Sequence, residues 1–511
     1  MALILGTLAC TRADVPPPGA IGSGGLPSPT LEPTSLTSEP TIKATIAVAL
    51  PLSTATPAAD RPEPVVSPTF PATPTSEISV ESEVLLYEAQ PGDTIRALAI
   101  RFGVVPEDIE SPEPLPLGGG MINPGQLILI PGRLFDIGPE GLQIPDSELI
   151  FSPHSTDFNV VDFVASQGGY LNNYREIVGS IWRTGPEVVE IVARNNSVNP
   201  RVILALLEFQ SGWVTNPEPA SGDAFTYPMG FVDRQHMGLQ RQLTWLVNEL
   251  GNGYFGWRDG TLTELAFKDG SRLRLAPVLN AGTVALQYYF SIDRSRANWD
   301  RVITDETFLE TYTSLFGDPW SYEYVIYEPG VEQPDMILPF LPGRVWAFTG
   351  GPHGAWERES AWAALDFAPG ASESGCVLSD DWVVASAPGV VIRSENGTVV
   401  IDLDGDGREN SGWALLYLHI DKDGRIAEGE LVEEGDRLGH PSCEGGTATG
   451  THVHIARKYN GEWILADGPL PFVLSGWRAY AGLRTYQGVM VKDGEEVLAC
   501  SCASHETLIW R

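Results

Sequence analysis

Five of the chain's eight histidines fall between positions 353 and 454. The stretch "GTHVHIA" sets His452 and His454 on either side of Val453. Alternate side chains of a strand share a face, so both imidazoles can converge on one point. Upstream, "GGPHGAWERESAWAALDFAPG" supplies His353 and Asp366, thirteen positions apart, and "LLYLHI" supplies His419. Imidazole nitrogens and a carboxylate are the donor set of a metal centre, and further imidazoles can accept or deliver protons. A His-x-His pair alone is more often structural, and here it has company. His154, His236, His440 and His505 lack that context and read as structural or surface residues.

The elements that would position these residues follow from the local pattern. From 343 onward, short alternating runs such as "WVVASAPGVVIRSENGTVVIDLD", "WALLYLHI" and "THVHIARKYNGEWI" are punctuated by Gly and Asn-Gly turns. They predict an antiparallel β domain over 338–480. Residues 150–335 carry apolar residues at helical spacing and the start signal "NNSVNP", which predicts a mainly helical domain. Around 83–133, "VLLYEA", the turn Pro91-Gly92-Asp93, a helix with Ile95, Leu98, Ala99 and Phe102 on one face, and "INPGQLILIPG" predict a small α/β unit. The chain is therefore expected to be multidomain.

Two resemblances attach to these regions. The 83–133 segment resembles the LysM carbohydrate-binding module through Tyr87, Pro91-Gly92-Asp93-Thr94-Ile95, Phe102-Gly103 and Asn123-Pro124-Gly125. It departs at "SPEPLPLGGGM", beside that family's sugar groove. The resemblance implies binding of glycans containing N-acetylglucosamine, with Gly92, Asp93, Thr94 and Ile95 as candidate contacts. The 338–480 segment resembles the lysostaphin-type zinc peptidases, which cut peptide cross-bridges in bacterial walls, through "GTHVHIA", "LLYLHI" and "SAPGVVI". Compact members hold their first ligands as His-x-x-x-Asp, a spacing that would need a His at Trp362. The β-lytic branch inserts residues between "GG-His" and "Leu-Asp", which "GGPHG" through "AALDFA" matches. That resemblance implies one zinc ion per chain on His353, Asp366 and His454, with His419 and His452 as the catalytic pair.

The helical region contains "NPRVILALLEFQSG", which distantly resembles the helix bearing the acidic residue of lysozyme-like transglycosylases. Gln210 stands where that family has Glu, and an amide cannot protonate a glycosidic oxygen. Glu208 lies about 200° around the helix from that position. A non-catalytic domain is expected, conceivably wall-binding. "DLDGDGREN" imitates the start of a calcium loop with Asp402, Asp404, Asp406 and Gly407, but Trp413 occupies the twelfth position, so a polar hairpin turn is expected.

The net charge of -34 disfavours nucleic acid and anionic lipid as partners. "MALILGTLAC" resembles the end of a lipoprotein signal with Cys10 as its lipidated residue, which would place the protein in the cell envelope or outside the cell. Residues 11–82, rich in Pro, Thr and Ser, read as an extended linker. In an exported chain the other four cysteines can form disulfides. Cys376 with Cys443 is the preferred pair, free buried thiols being the other reading, and Cys500 and Cys502 stand too close together for an easy bridge. The 481–511 segment is expected to be a tail. The function expected is hydrolysis of peptidoglycan cross-links by a monomer; the alternative is a silent wall-binding regulator of other hydrolases.

Overall fold

The computed structural model describes residues 84–116, 118–218, 222–304, 308–356, 361–370, 374–502 and 504–511. The Cys10 signal and the 11–82 linker lie outside them. No helix among the described residues is long and apolar enough to cross a membrane.

The first unit pairs β1 (Val84–Glu88) antiparallel with β2 (Leu127–Pro131) around α1 (Ile95–Phe102). Thr94 caps α1 by accepting the Ala97 N–H, and Gly103 ends it at φ 65°, a left-handed conformation that glycine adopts without strain. A single 3-10 turn, Pro106–Asp108, follows α1. Tyr87, Leu98, Phe102, Ile109, Ile128 and Ile130 form the core.

The middle unit is mainly helical, as its periodicity predicts. It contains α2 (Asp146–Leu149), α3 (Val160–Gln167), the hairpin β3 (Arg175–Val178) and β4 (Ile181–Thr184), α4 (Gly185–Asn196), α5 (Pro200–Ser211) and α6 (Leu239–Asp259). A second hairpin, β5 (Glu264–Ala266) and β6 (Arg272–Arg274), precedes α7 (Ala281–Ser291), α8 (Arg296–Thr304) and α9 (Phe308–Phe316). α5 is sheathed on nearly all sides, with Val202 through Leu207 buried, so it forms the axis of this unit.

The last unit is antiparallel β. Its strands are β7 (Val345–His353), β8 (Ala364–Ala368), β9 (Val383–Val384), β10 (Gly389–Glu395), β11 (Thr398–Asp402), β12 (Trp413–Leu418), β13 (Leu431–Val432), β14 (Arg437–Gly439), β15 (Val453–Tyr459) and β16 (Glu462–Trp463). They continue through β17 (Val473–Leu474), β18 (Trp477–Ala481), β19 (Gly488–Lys492), β20 (Glu495–Leu498) and β21 (Leu508–Trp510). The principal sheet runs β13-β10-β11-β12-β15-β8-β7-β21, with β16 hairpinned on β15. Residues 481–511 are thus not a tail: β21 pairs with β7, and β17 to β20 form their own sheet. Alternation along "ALLYL" and "VHIA" carries no information about a strand arriving from beyond a long loop, so this closure was invisible locally.

The period of two divides the principal sheet cleanly. Leu365, Phe367, Leu415, Tyr417, Val453 and Ile455 face one core. Ala364, Ala414, Leu416, Leu418 and Ala456 face the other, against which Phe255 of α6 packs. Asp366 and His454 belong by parity to this second, small-residue face.

Candidate metal centre and its imidazole pair

Strand register brings the cluster together. His454 is the direct partner of Asp366 across β15 and β8, and of Leu418 on β12, so His419 emerges beside it as β12 ends. In β7 the register slips between Gly350, opposite Asp366, and His353, opposite Ala364. That extra residue turns His353 onto the face of Asp366, which an unbroken strand would not do. Gly350 is required here because a Cβ would press into the Asp366 carboxylate, 2.5 Å from Oδ2. The Trp362 carbonyl accepts the Ala466 N–H. The longer-spaced pair of His353 and Asp366 is therefore brought together.

His353, Asp366 and His454 are all buried, at 2 %, 6 % and 5 % exposure. His353 Nε2 stands 3.0 Å from His454 Nδ1, and each lies 3.3 Å from Asp366 Oδ1. Their outer nitrogens fix the tautomers. His353 Nδ1 is 2.8 Å from the Gly351 carbonyl and His454 Nε2 is 2.9 Å from the Ala355 carbonyl. A carbonyl only accepts, so both outer nitrogens carry the proton and both inner ones present lone pairs. Burial also depresses the His454 pKa, which favours its neutral form. Asp366 Oδ1 is buried and accepts no hydrogen bond. Three potential ligand atoms thus converge, an arrangement that a cation resolves; burial lowers the His353 pKa, but the Asp366 carboxylate outweighs it and raises that pKa, so this point draws positive charge.

His419 and His452 flank this cluster. Their rings lie 4.4 Å apart between centroids, and His452 Nε2 is 3.7 Å from Asp366 Oδ1. Each again donates from Nδ1 to a backbone carbonyl, His419 to Glu444 and His452 to Gly450, which leaves Nε2 as the acceptor. Burial first, then the neighbouring His452 and His454, push the His419 pKa down to about 3. It is a neutral base at any ordinary pH. His419 holds φ 65°, an unusual conformation for a residue with a Cβ.

Tyr486 was not legible beforehand. Its ring stacks on His353 at 4.1 Å, and the main chains interlock through Gly351 N–H to Tyr486 O and Tyr486 N–H to Pro352 O. It comes from the segment expected to be a tail, and no motif marks it. Both bridges are formed: Cys376–Cys443 as expected, and Cys500–Cys502 against expectation. Their Cα atoms are 5.1 Å apart, inside the range a disulfide spans, because the intervening residue bends the chain.

The other candidates take structural positions. Gly92 and Asp93 are buried: a Cβ on Gly92 would overlap the Arg258 guanidinium, and Asp93 pairs with Arg101 at 2.7 Å and accepts from Tyr87. As glycan contacts, Gly92 is covered by Arg258 of the middle unit and Asp93 is taken up by partners in its own unit, while Thr94 and Ile95 stay half-buried. Glu208 is spent on the chain itself, accepting from the Val214 and Thr215 N–H groups and the Thr215 hydroxyl. Gln210 bonds Tyr289. Asp402 accepts from the N–H groups of Asp404, Gly405 and Gly407, as a polar turn between β11 and β12 should.

Comparison with known proteins locates one family match on the chain. The family model for the LasA N-terminal domain matches residues 142–329, the helical unit. Over 327 residues the chain is 26% identical to Protease LasA in two strains of Pseudomonas aeruginosa, covering 58% of this chain and 72% of that protein. Among solved structures it is similar to pseudoalterin, an M23 metalloprotease from the deep sea (24% identity, 35% of this chain, 99% of that chain, TM-score 0.28). It is also similar to a zinc-containing peptidase from Vibrio cholerae (20% identity, 27% of this chain, 41% of that chain, TM-score 0.21). The similarity to Protease LasA, with the buried His-Asp-His cluster, supports a LasA-like zinc metalloendopeptidase.

Proposed function

We propose that the protein is an exported endopeptidase that cleaves the peptide cross-links of peptidoglycan. The observation that carries this reading is the convergence of His353 Nε2, His454 Nδ1 and Asp366 Oδ1 with their outer positions already satisfied by backbone. Two imidazoles and one carboxylate leave a tetrahedral ion one open position, the mark of catalytic rather than structural zinc. Zinc held there would supply Lewis acidity for a scissile carbonyl and for water. His452, 15 % exposed at its side chain, is the more accessible of the paired imidazoles and can take a proton at Nε2. His419, neutral and more deeply buried, can hold or pass a proton at its own Nε2. Tyr486 keeps the His353 ring from turning.

Protease LasA is by name a protease; the wall as substrate rests on the resemblance of the β unit to lysostaphin-type enzymes. The first unit would hold the enzyme on glycan strands in the manner of a LysM module, raising its local concentration there. A lipid on Cys10 would keep it at the envelope. The test is elemental analysis and product chemistry on the full chain. One zinc per chain, lost in His353→Ala and kept in Trp362→Ala, with new amino groups and no new reducing sugar released from peptidoglycan, is the expected result. Reducing sugar as the sole product would overturn it.

A further inference from the structure

We propose that the Cys376–Cys443 disulfide positions the imidazole pair, so that the thiol form of the protein still binds zinc but turns substrate over poorly. This rests on the peptidase reading above and adds a dependence on oxidation to it. The segment from Ser442 to Thr451 supplies the outer acceptor of both imidazoles: the Glu444 carbonyl takes the His419 Nδ1 proton at 2.9 Å, and the Gly450 carbonyl takes that of His452 at 2.7 Å. It also fixes their main chains. Ser442 donates to the His419 carbonyl from both its N–H and its hydroxyl, and the His452 N–H donates back to Ser442.

Two devices hold this segment. One is ionic: the Glu444 carboxylate accepts from Arg425 and from the Lys422 N–H. The other is the covalent link from Cys443 to Cys376, a residue 67 positions away in sequence. Around that link the two stretches are laced together, with Thr451 N–H donating to the Gly375 carbonyl and Val377 N–H to the Thr451 hydroxyl. The zinc ligands do not depend on it in the same way. His353 and His454 take their outer partners from Gly351 and Ala355, on the other side of the cluster. Breaking the link should therefore separate turnover from metal binding.

The experiment uses the full chain loaded with zinc. A water-soluble phosphine reduces the disulfide: two electrons from phosphorus enter the S–S bond, water supplies the two thiol protons, and its oxygen ends on phosphorus. The same reagent opens Cys500–Cys502, so a Cys500→Ser/Cys502→Ser variant serves as the control. Reduced protein and the Cys376→Ser/Cys443→Ser variant are expected to keep one zinc per chain and an unchanged KM. Their kcat on soluble cross-linked wall fragments should fall about 10- to 100-fold, the usual effect of losing an outer partner of an active-site ligand. Reoxidation should restore the wild type only. Unchanged kcat, or loss of zinc in step with kcat, would overturn the proposal. Imidazole 15N spectra test it without turnover: His419 and His452 should be fixed as Nδ1–H tautomers when oxidised and average between tautomers when reduced. Fixed tautomers in both states would overturn it, whereas zinc binding without any cleavage by the oxidised protein would sink only the peptidase reading.

Discussion

Two buried carboxylates on this chain have opposite surroundings. Glu462, on the β15-β16 hairpin, has one oxygen on Tyr327 and the other shared by Tyr254 and Arg258, which also faces Asp146. Asp366, on β8 directly beside β15 of that hairpin, turns its Oδ1 toward an imidazole nitrogen of each of His353 and His454. Each oxygen of Glu462 has found a donor. Asp366 Oδ1 has no hydrogen-bond donor and faces imidazoles instead. Burial is common to both, so burial alone does not mark function; what marks it is a buried acceptor set left short of a cation.

The sharpest way to break this contrast is to remove a donor from the short set. Asp366→Ala or His454→Ala should abolish zinc binding and lower kcat/KM by at least about 10³-fold, since activation of water and carbonyl depends on the ion. Zinc analysis beside initial rates would show it, and an active zinc-free variant would refute the assignment. Substituting the flanking imidazoles should act one step later. His419→Ala and His452→Ala are expected to retain zinc while kcat falls by about 10² to 10⁴, the usual range for a general acid or base.

The closed set should respond in stability instead of activity. Glu462→Ala leaves Arg258 with Asp146 as its one carboxylate and takes the acceptor from two tyrosines where the middle unit meets the sheet, and should cost about 3–5 kcal/mol in chemical denaturation. Glu208→Gln should cost about 1–2 kcal/mol through its weakened cap of the 214–215 turn and leave cleavage untouched. Loss of cleavage in that variant would revive a catalytic role for the helical unit. The smallest effect concerns pH. His419 is held at about 3 against an ordinary 6.5, so the unfolded chain takes up its proton first. Its contribution is complete above pH 6.5 and is lost as pH falls toward 3. The pH dependence of zinc-free protein should therefore flatten over that window in His419→Gln.

Much of the site was legible because strand periodicity is local. "THVH" had to set two imidazoles on one face, and the small residues of "AALDFA" alternate in step with Asp366. The two histidines outside those strands were found by resemblance, not by pattern: His353 reaches the cluster through a β7 irregularity, and His419 follows a strand at positive φ. Tyr486 had no local signal at all. Its approach to His353 depends on the β18-β19 connection folding back over β7.

What the sequence by itself determined was the order of the three units and the donor types of the candidate metal centre, because each is written in residue identity and short-range period; the Cys376–Cys443 pairing, across 67 positions, waited for the fold. Only the tertiary structure decided which nitrogen of each imidazole carries the proton, that Arg258 covers Gly92, and that the last thirty residues close the sheet. Those depend on which backbone carbonyl or guanidinium arrives from a distant segment. Nothing in the spacing of neighbouring residues encodes that arrival; it is settled only when the whole chain has buried its apolar surface and each remaining polar group takes the partner left within reach.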